Sequence, residues 1–475
     1  MPRSLFLSSA VLALLAGCAA VPDLGPKPVP ASPATLETRQ AFADASGEWP
    51  AEGWWRAWGD PQFDTLIAEG LANAPDVAIA AARVRAADAF AQQAGAALGP
   101  RAAVEASAGG VQQSKTMGIP PQFVPDGVED TGRVAATFAF DLDLWGRNRA
   151  ALAAATSEAE AARVDAAQAR LMLATGIAAA YADLAGQYDA LTVAENAARI
   201  RAASAELAAE RTRAGLDNRA SERQAESRSA AARADVVALE EAIALTRHRI
   251  AALLGAGPDR GLALARPALA APTVGLPADA GIGLIGRRPD IVAARLRADA
   301  AGRRIDVARA DFYPNISLSA LVGLQSLGLS HLFDKGSGYG NGGVALSLPI
   351  FDGGRLQGRY RGARADYDLA VASYDRTLVA ALREVADTVA SRAANARQLA
   401  ERRAALAAAE EAAKLAGLRY RAGLSNQIVA LTAEDGMVAL ARAVAELEAR
   451  QRALDVALIR ALGGGYAAQT STGEL

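Results

Sequence analysis

Val134, Ala136, Phe138, Phe140, Leu142 and Leu144 alternate with Ala135, Thr137, Ala139, Asp141 and Asp143. A period of two puts the apolar set on one face of a strand and the small and polar set on the other. Gly146-Arg147 ends the alternation, and a helical pattern then runs to about Arg213, interrupted only by Gly176 and Gly186. The same event recurs later. Val344, Leu346, Leu348 and Ile350 alternate with Ala345, Ser347 and Pro349, a proline that a strand end tolerates. Asp352-Gly353-Gly354 breaks that strand, and a second helical run opens at Arg355. Each run is about 100 Å long at 1.5 Å per residue, far beyond a usual globular helix. In both places a strand feeds a very long helix.

The flanking segments punctuate themselves. Asp60-Pro61 is an N-cap followed by proline at the first helical position, predicting a helix to about Ala74. Pro75-Asp76 starts another, and Gly99-Pro100 stops it near Leu98. Residues 102–111 read as a strand and 112–130, with Pro120, Pro121 and Pro125, as a loop. Arg213-Ala214-Gly215-Leu216 turns the long helix into a return helix reaching about Leu254. A connector rich in proline and glycine follows, to residue 288.

The order then repeats. Pro75-Asp76, Arg83, Pro100 and Gly109 match Pro289-Asp290, Arg297, Pro314 and Gly323 at an offset of 214. Gly146-Arg147, Gly215-Leu216, Asn218, Glu226 and Leu254-Gly255 match Gly354-Arg355, Gly423-Leu424, Asn426, Glu434 and Leu462-Gly463 at 208. One shorter loop in the second half accounts for the change of offset. The chain is a tandem duplication, each half being helix, strand, loop, strand, long helix, glycine turn and return helix.

Composition narrows the class. A net charge of −2 offers no basic field for nucleic acid. Residues 1–17 read as a signal peptide: Arg3, then an apolar stretch. They end in Leu15-Ala16-Gly17-Cys18, which resembles a bacterial lipobox, with Cys18 the lipidated first residue of the mature chain. Cys18 is the sole cysteine, so no intrachain disulfide forms. Five prolines between Val21 and Pro33 read as an extended tether. No further apolar run reaches the ~18 residues of a spanning helix, so a membrane crossing would require a closed barrel. Single-chain barrels start at about 8 strands; four strands per chain therefore imply an oligomer.

Two rival readings are an enzyme and a coiled-coil or periplasmic adaptor protein. His248 and His331 lie far apart in sequence, and no metalloprotease, Walker or nucleophile-elbow motif occurs. Gly338-Tyr-Gly-Asn-Gly-Gly343 fits G-x-G-x-x-G literally but precedes a strand instead of opening a helix; it reads as a flexible extracellular turn. Asp141 and Asp143 are either solvated inner-face carboxylates or a joint cation site in the lumen. An adaptor would need β-rich segments flanking one hairpin, whereas this chain has two hairpins. No cofactor, metal or catalytic residue is predicted.

Trp54-Trp55-x-x-Trp58-x-Asp60-Pro61, Phe140-Asp-Leu-Asp-Leu-Trp-Gly-Arg147, Arg288-Pro-Asp-Ile291, Phe312-Tyr-Pro-Asn-Ile-Ser317, Leu348-Pro-Ile-Phe-Asp-Gly-Gly-Arg355 and Tyr420-Arg-x-Gly423 occur in that order. Together they resemble the outer-membrane factor (TolC-like) family, most closely its NodT-type efflux lipoproteins. The resemblance covers nearly the whole mature chain. It implies an α+β membrane protein, with long helical hairpins forming a periplasmic tunnel and four strands per chain entering a trimeric 12-stranded barrel. It implies a passive exit duct of a tripartite efflux system, or of a type I-like export system. Partners would be a periplasmic adaptor (membrane fusion protein), an inner-membrane pump of the resistance-nodulation-division type, and outer-membrane lipid.

The domains expected on this basis are the signal peptide 1–17, a lipidated tether 18–34 and an equatorial segment 35–74. The first repeat then covers 75–257, an equatorial connector 258–288, the second repeat 289–465 and the tail 466–475. Gly215, Leu216, Gly423 and Leu424 form two periplasmic tips for adaptor contact. Ile428, Thr432 and Asp435 share one helix face and would form a gate, with Thr432 standing where relatives often carry aspartate. Three copies of Asp435 would ring the pore with like charge. Tyr420 matches a tyrosine that ties the tip to an acid of the first hairpin; the aligned partner here is Ser221, with Glu222 beside it.

Overall fold

A computed structural model describes residues 21–42, 46–270 and 274–468. The signal peptide, Cys18 and most of the tail lie outside the described residues. The chain divides into two units. Of the described residues, one unit holds 21–30, 84–161 and 294–373; the other holds those of 31–83, 162–293 and 374–468.

The elements are α1 (Pro61–Asn73), α2 (Pro75–Ala96), β1 (Arg101–Val111), β2 (Glu129–Leu142), α3 (Arg147–Arg213), α4 (Arg219–Leu253), α5 (Ala280–Arg287), α6 (Pro289–Ala310), β3 (Asn315–Leu327), β4 (Gly338–Ser347), α7 (Arg355–Arg421) and α8 (Gln427–Ala461). The duplication carries through to length. α3 and α7 both have 67 residues, α4 and α8 both 35, α2 and α6 both 22.

In the first unit the strands form one antiparallel sheet in the order β1-β2-β3-β4. Its register aligns the alternation of all four strands, because residues directly opposite share a face. Phe138 stands between Ala102 and Ala320, Leu318 between Phe140 and Val344, and Ile316 between Leu142 and Leu346. The other face carries Thr137 between Ala103 and Leu321, Ser317 between Asp141 and Ala345, and Asn315 opposite Ser347. One face is therefore mainly apolar across the sheet, with Asp130 and Ser326 at one end, and the other is mainly small or polar, with Leu321, Leu327 and Val111 as apolar exceptions.

Two expectations need correction here. Gly338–Gly343 is no turn: it is the first half of β4, paired from Leu324↔Gly338 to Ser319↔Gly343. Glycine leaves no hydrophobic pattern to read, yet its N–H and C=O still need ladder partners. Leu348 and Ile350 lie beyond the end of β4 at Ser347, and Leu144 lies beyond the end of β2 at Leu142.

What ends the strands also starts the long helices. Asp143 accepts the N–H groups of Asn148 and Arg149 at 3.0 and 2.9 Å. In the second repeat Asp352 accepts those of Gly354 and Leu356 at 3.0 and 2.8 Å. These carboxylates satisfy donors that a helix start leaves unpaired. Gly146, at φ +74°, makes the bend that brings Asp143 back over α3. Asp141 is held separately by Arg101 at 3.0 Å. The two aspartates thus have separate partners and do not form a shared cation site; Asp141 stays partly exposed, and only Asp143 is largely withdrawn from solvent.

The second unit is built around Trp54, Trp58, Phe63, Leu66, Ile67, Ile177, Tyr181, Ile250 and Leu254. Phe63 stacks on Tyr181 with ring centroids 5.1 Å apart, and Asp60 both caps α1 and accepts the Tyr181 hydroxyl at 2.7 Å. The tryptophan-rich motif before α1 is therefore a core anchor. Arg288 is buried and fully engaged by Asp290 at 2.7 Å, Glu384 at 2.8 Å and the Ala461 carbonyl at 3.0 Å. It joins the start of α6 to α7 and to the end of α8.

Candidate functional site

The two hairpin turns are built alike. After α3, Leu216 N–H donates to Arg211 O at 2.9 Å and Gly215 N–H to Thr212 O at 3.1 Å. After α7, Leu424 N–H donates to Arg419 O at 2.8 Å and Gly423 N–H to Tyr420 O at 3.0 Å. This is the Schellman pattern, which needs a left-handed residue just past the helix. Gly215 and Gly423 supply it at φ +70° and +73°. Asn218 and Asn426 then cap the return helices, accepting from Ser221 and Val429 N–H. The turns leave Leu216 66% and Leu424 70% exposed.

Above the second turn, Tyr420 is buried and its hydroxyl donates to Asp217 Oδ2 at 3.2 Å. Arg211 lies 4.7 Å from the Tyr420 ring centroid and 3.9 Å from the same carboxylate. Burial raises the Asp217 pKa. Hydrogen bonds from Asn218 N–H, Ser221 and Tyr420, together with the Arg211 charge, outweigh it and hold the carboxyl below its usual range. Burial pushes Tyr420 up, as do the charge and hydrogen bond of Asp217. The acid partner of Tyr420 is therefore Asp217, four positions before the expected Ser221. A loop acid beside the Asn218 cap was the available signal.

At the start of α8, Ile428 is 63% exposed, and one turn on Thr432 is exposed with its hydroxyl bonded back to Ile428 O at 2.8 Å. Asp435 is half-buried. Its carboxylate accepts from Arg228 of α4 at 2.6 Å and from Arg201 of α3 at 3.1 Å. Arg228 also reaches the Leu431 carbonyl at 3.3 Å. Beside it, Ser204 donates to both oxygens of Glu434 at 2.9 and 3.1 Å, and burial leads the causes that raise the Glu434 pKa. Asp435 is therefore not a free carboxylate facing a pore: two guanidinium groups of the same chain answer it. Arg201 and Arg228 had no sequence signal, since both lie more than 200 residues from Asp435.

Among the described residues no acidic, cysteine or histidine cluster could hold a metal ion, and no helix is long and apolar enough to cross a membrane. The sheet is the only described element with a continuous apolar face of spanning type, and its strands run straight into hairpins too long for a globular helix bundle. Such an arrangement defines a subunit of an outer-membrane channel with a helical tunnel.

Residues 66–256 and 284–464 match the model of the outer membrane efflux protein family, and the chain belongs to that family. The fusaric acid resistance protein FusA of Burkholderia cepacia is 39% identical over 381 residues, spanning 76% of this chain and 69% of FusA. The multidrug resistance outer membrane protein MdtP of Escherichia coli K12 is 32% identical over 466 residues, spanning 96% and 95% of the two chains. Among solved structures, the outer membrane protein VceC of Vibrio cholerae superposes with a TM-score of 0.83 at 40% identity, covering 88% of this chain and all of VceC. The outer-membrane channel OprN gives 0.84 at 30% identity over 94% of this chain and 99% of OprN.

Proposed function

We propose that three copies of this chain form the exit duct of a tripartite efflux system, conducting small molecules passively from an inner-membrane pump and its periplasmic adaptor to the outside. The observation that carries the reading is the sheet. β1 and β4 each pair on one side only, and four strands fall short of the roughly 8 that a single-chain barrel needs. An unpaired edge in lipid leaves backbone donors and acceptors unsatisfied; joining β4 of one copy to β1 of the next removes every edge at 12 strands. The apolar face then meets outer-membrane lipid and the polar face lines the lumen.

The remaining assignments follow the same reading. Gly215, Leu216, Gly423 and Leu424 are the adaptor contact, supported by their exposure and by the matched construction of the two turns. Ile428, Thr432, Asp435 and Tyr420 form the periplasmic gate. Residues 35–74, the connector 258–288 and the tail make an equatorial collar. Three contacts support it: Gly47 N–H to Leu276 O, Ala270 N–H to Trp58 O and Ala468 N–H to Gly286 O, each at 2.8 Å. Cys18 carries the lipid anchor after removal of residues 1–17, and the pump is of the resistance-nodulation-division type.

The test is migration of membrane-extracted protein with and without boiling, paired with planar-bilayer recording. The duct predicts a detergent-resistant trimer that collapses on heating and conducts when reconstituted. A species that stays monomeric in mild detergent and leaves the bilayer silent would defeat the reading. Mass spectrometry of the mature N-terminal peptide tests the anchor, and an unmodified Cys18 would remove it.

A further inference from the structure

The prolines between Val21 and Pro33 predict an extended tether, and the described part of that segment is docked along a helix. Arg364 of α7 donates to the carbonyl of Gly25 at 3.1 Å and also to that of Pro26. Tyr367 donates to the Pro28 carbonyl at 3.1 Å, and Lys27 sits 5.9 Å from the centre of its ring. Farther along the same helix, Asp375 accepts the Ala31 N–H at 2.8 Å. Arg364 is itself braced by Asp368 at 2.9 Å, and its side chain is only 13% exposed. Arg364 and Asp375 are eleven residues apart, close to three turns, so both lie on one stripe of the helix.

This is a built contact. A polyproline-type segment has no internal hydrogen bonds, so its carbonyls are free to be captured. Successive carbonyls are taken by successive positions of one helix, which fixes both register and direction. The segment and α7 run the same way, so its N-terminal end points toward the start of α7. From Arg364 to that start at Arg355 is about 14 Å. From Gly25 back to Cys18 the chain can span at most about 25 Å. Position 18 can therefore reach the joint where β4 passes into α7, where Phe351 is 92% exposed and Ile350 55%.

We propose that Arg364 and Tyr367 are a clamp for this N-terminal strap, holding the anchor end of the chain at the membrane-side end of α7. The idea rests on the reading of Cys18 as the acylated residue. Its physical content is effective concentration: a clamped strap presents the acyl chains where the strands enter the same leaflet, whereas a free strap must search for it. Arg364 and Tyr367 are positioning residues, acting through the strap.

The test uses the full-length protein in two arms. In a Cys18→Ser background, Val29→Cys carries a nitroxide on the strap, since Val29 is exposed. The clamp holds its spectrum slow, and the double variant Arg364→Ala with Tyr367→Ala shortens its correlation time at least about threefold. Arg361→Ala, an exposed neighbour on α7, leaves it slow. In the lipidated protein, the same double variant is acylated to the parental extent by mass spectrometry but forms the heat-resistant trimer at least about twofold more slowly in a pulse-chase. An unchanged nitroxide spectrum in the double variant would overturn the clamp. A loosened strap with trimer formation at the parental rate would overturn its positioning role. An unmodified Cys18 would instead defeat the anchor reading, and is seen separately in the mass spectrum.

Discussion

The Tyr420 hydroxyl donates to Asp217 Oδ2 at 3.2 Å, tying the last turn of α7 to the loop between α3 and α4. The tie fastens one hairpin end to the other through a hydrogen bond to a charged acceptor, the stronger class of such bonds. Just above it, Asp435 fastens α8 to both helices of the first hairpin. Two independent fastenings thus lie close to the tips.

Tyr420→Phe removes the hydroxyl and leaves Asp217 with Arg211. The loss is expected to cost about 1.5–3 kcal/mol locally and to raise the single-channel conductance of purified trimers. Asp217→Asn should act in the same direction. Parental conductance in both variants would mean that the tie does not restrain the tunnel.

Asp435→Ala strands two guanidinium groups. Conductance should rise, and selectivity should move toward anions, because Arg201 and Arg228 lose their counter-charge. Reversal potentials in a salt gradient report this directly. A fall in cation selectivity without exposure of the arginines would instead be expected from a ring of free carboxylates; pairing Asp435→Ala with Arg228→Ala separates the two, since only the arginine account predicts partial restoration.

Mild acid should not loosen the tip. The Asp217 pKa is depressed in the folded state, so its stabilisation is present above the unfolded value of about 3.9 and is lost only as pH falls through the lower folded value. The Glu434 pKa is raised, so the folded state binds its proton more tightly and gains stability as pH falls through the raised value toward about 4.3. Thermal melts of trimers should therefore hold or improve from pH 7 to about 5 and fall below about 4. A steady decline beginning at pH 7 would contradict both assignments.

Leu346 lies opposite Ile316 on the apolar face, and its neighbour Ser347 lies opposite Asn315 on the polar one. Leu346 is the penultimate residue of β4, close to the membrane interface, so Leu346→Arg should cost about 1 kcal/mol and Ser347→Arg less. Trimer yield and melting temperature in detergent compare them. Equal damage would mean that the two faces do not meet lipid and water respectively.

Leu424→Asp changes an exposed tip side chain without touching the Gly423 turn. It should abolish crosslinking to the periplasmic adaptor while trimer yield stays at the parental level. Gly423→Ala, by contrast, forces a side chain into a left-handed backbone and should cost about 1 kcal/mol. Undiminished crosslinking of Leu424→Asp would place the adaptor contact elsewhere.

Much of the fold was legible. α3 and α7 begin at the expected Arg147 and Arg355, since a glycine break and a change of period are local signals. The duplication was legible because glycines, prolines and arginines keep their spacing. The glycine half of β4 was not, since without side chains no period exists. The tip glycines were legible from the turns they make, but the acid partner of Tyr420 was displaced by four residues, because loop geometry decided which acid could reach. The docking of the Gly25–Ala31 strap was likewise hidden: a run of prolines reads as extended, and nothing local says what it lies against.

By itself, then, the sequence determined what is written in short-range periodicity: strands with two unlike faces, two very long hairpins, a glycine at each tip and four strands that cannot close alone. Tertiary structure alone decided which charges meet. Asp435 finds Arg201 and Arg228, Tyr420 finds Asp217, and Arg364 finds the carbonyls of Gly25 and Pro26, each across 200 residues or more. Backbone periodicity is enforced residue by residue through steric and hydrogen-bonding rules, whereas an ion pair needs only that two side chains arrive within reach. That depends on how separate helices pack, and packing leaves no repeat along the chain.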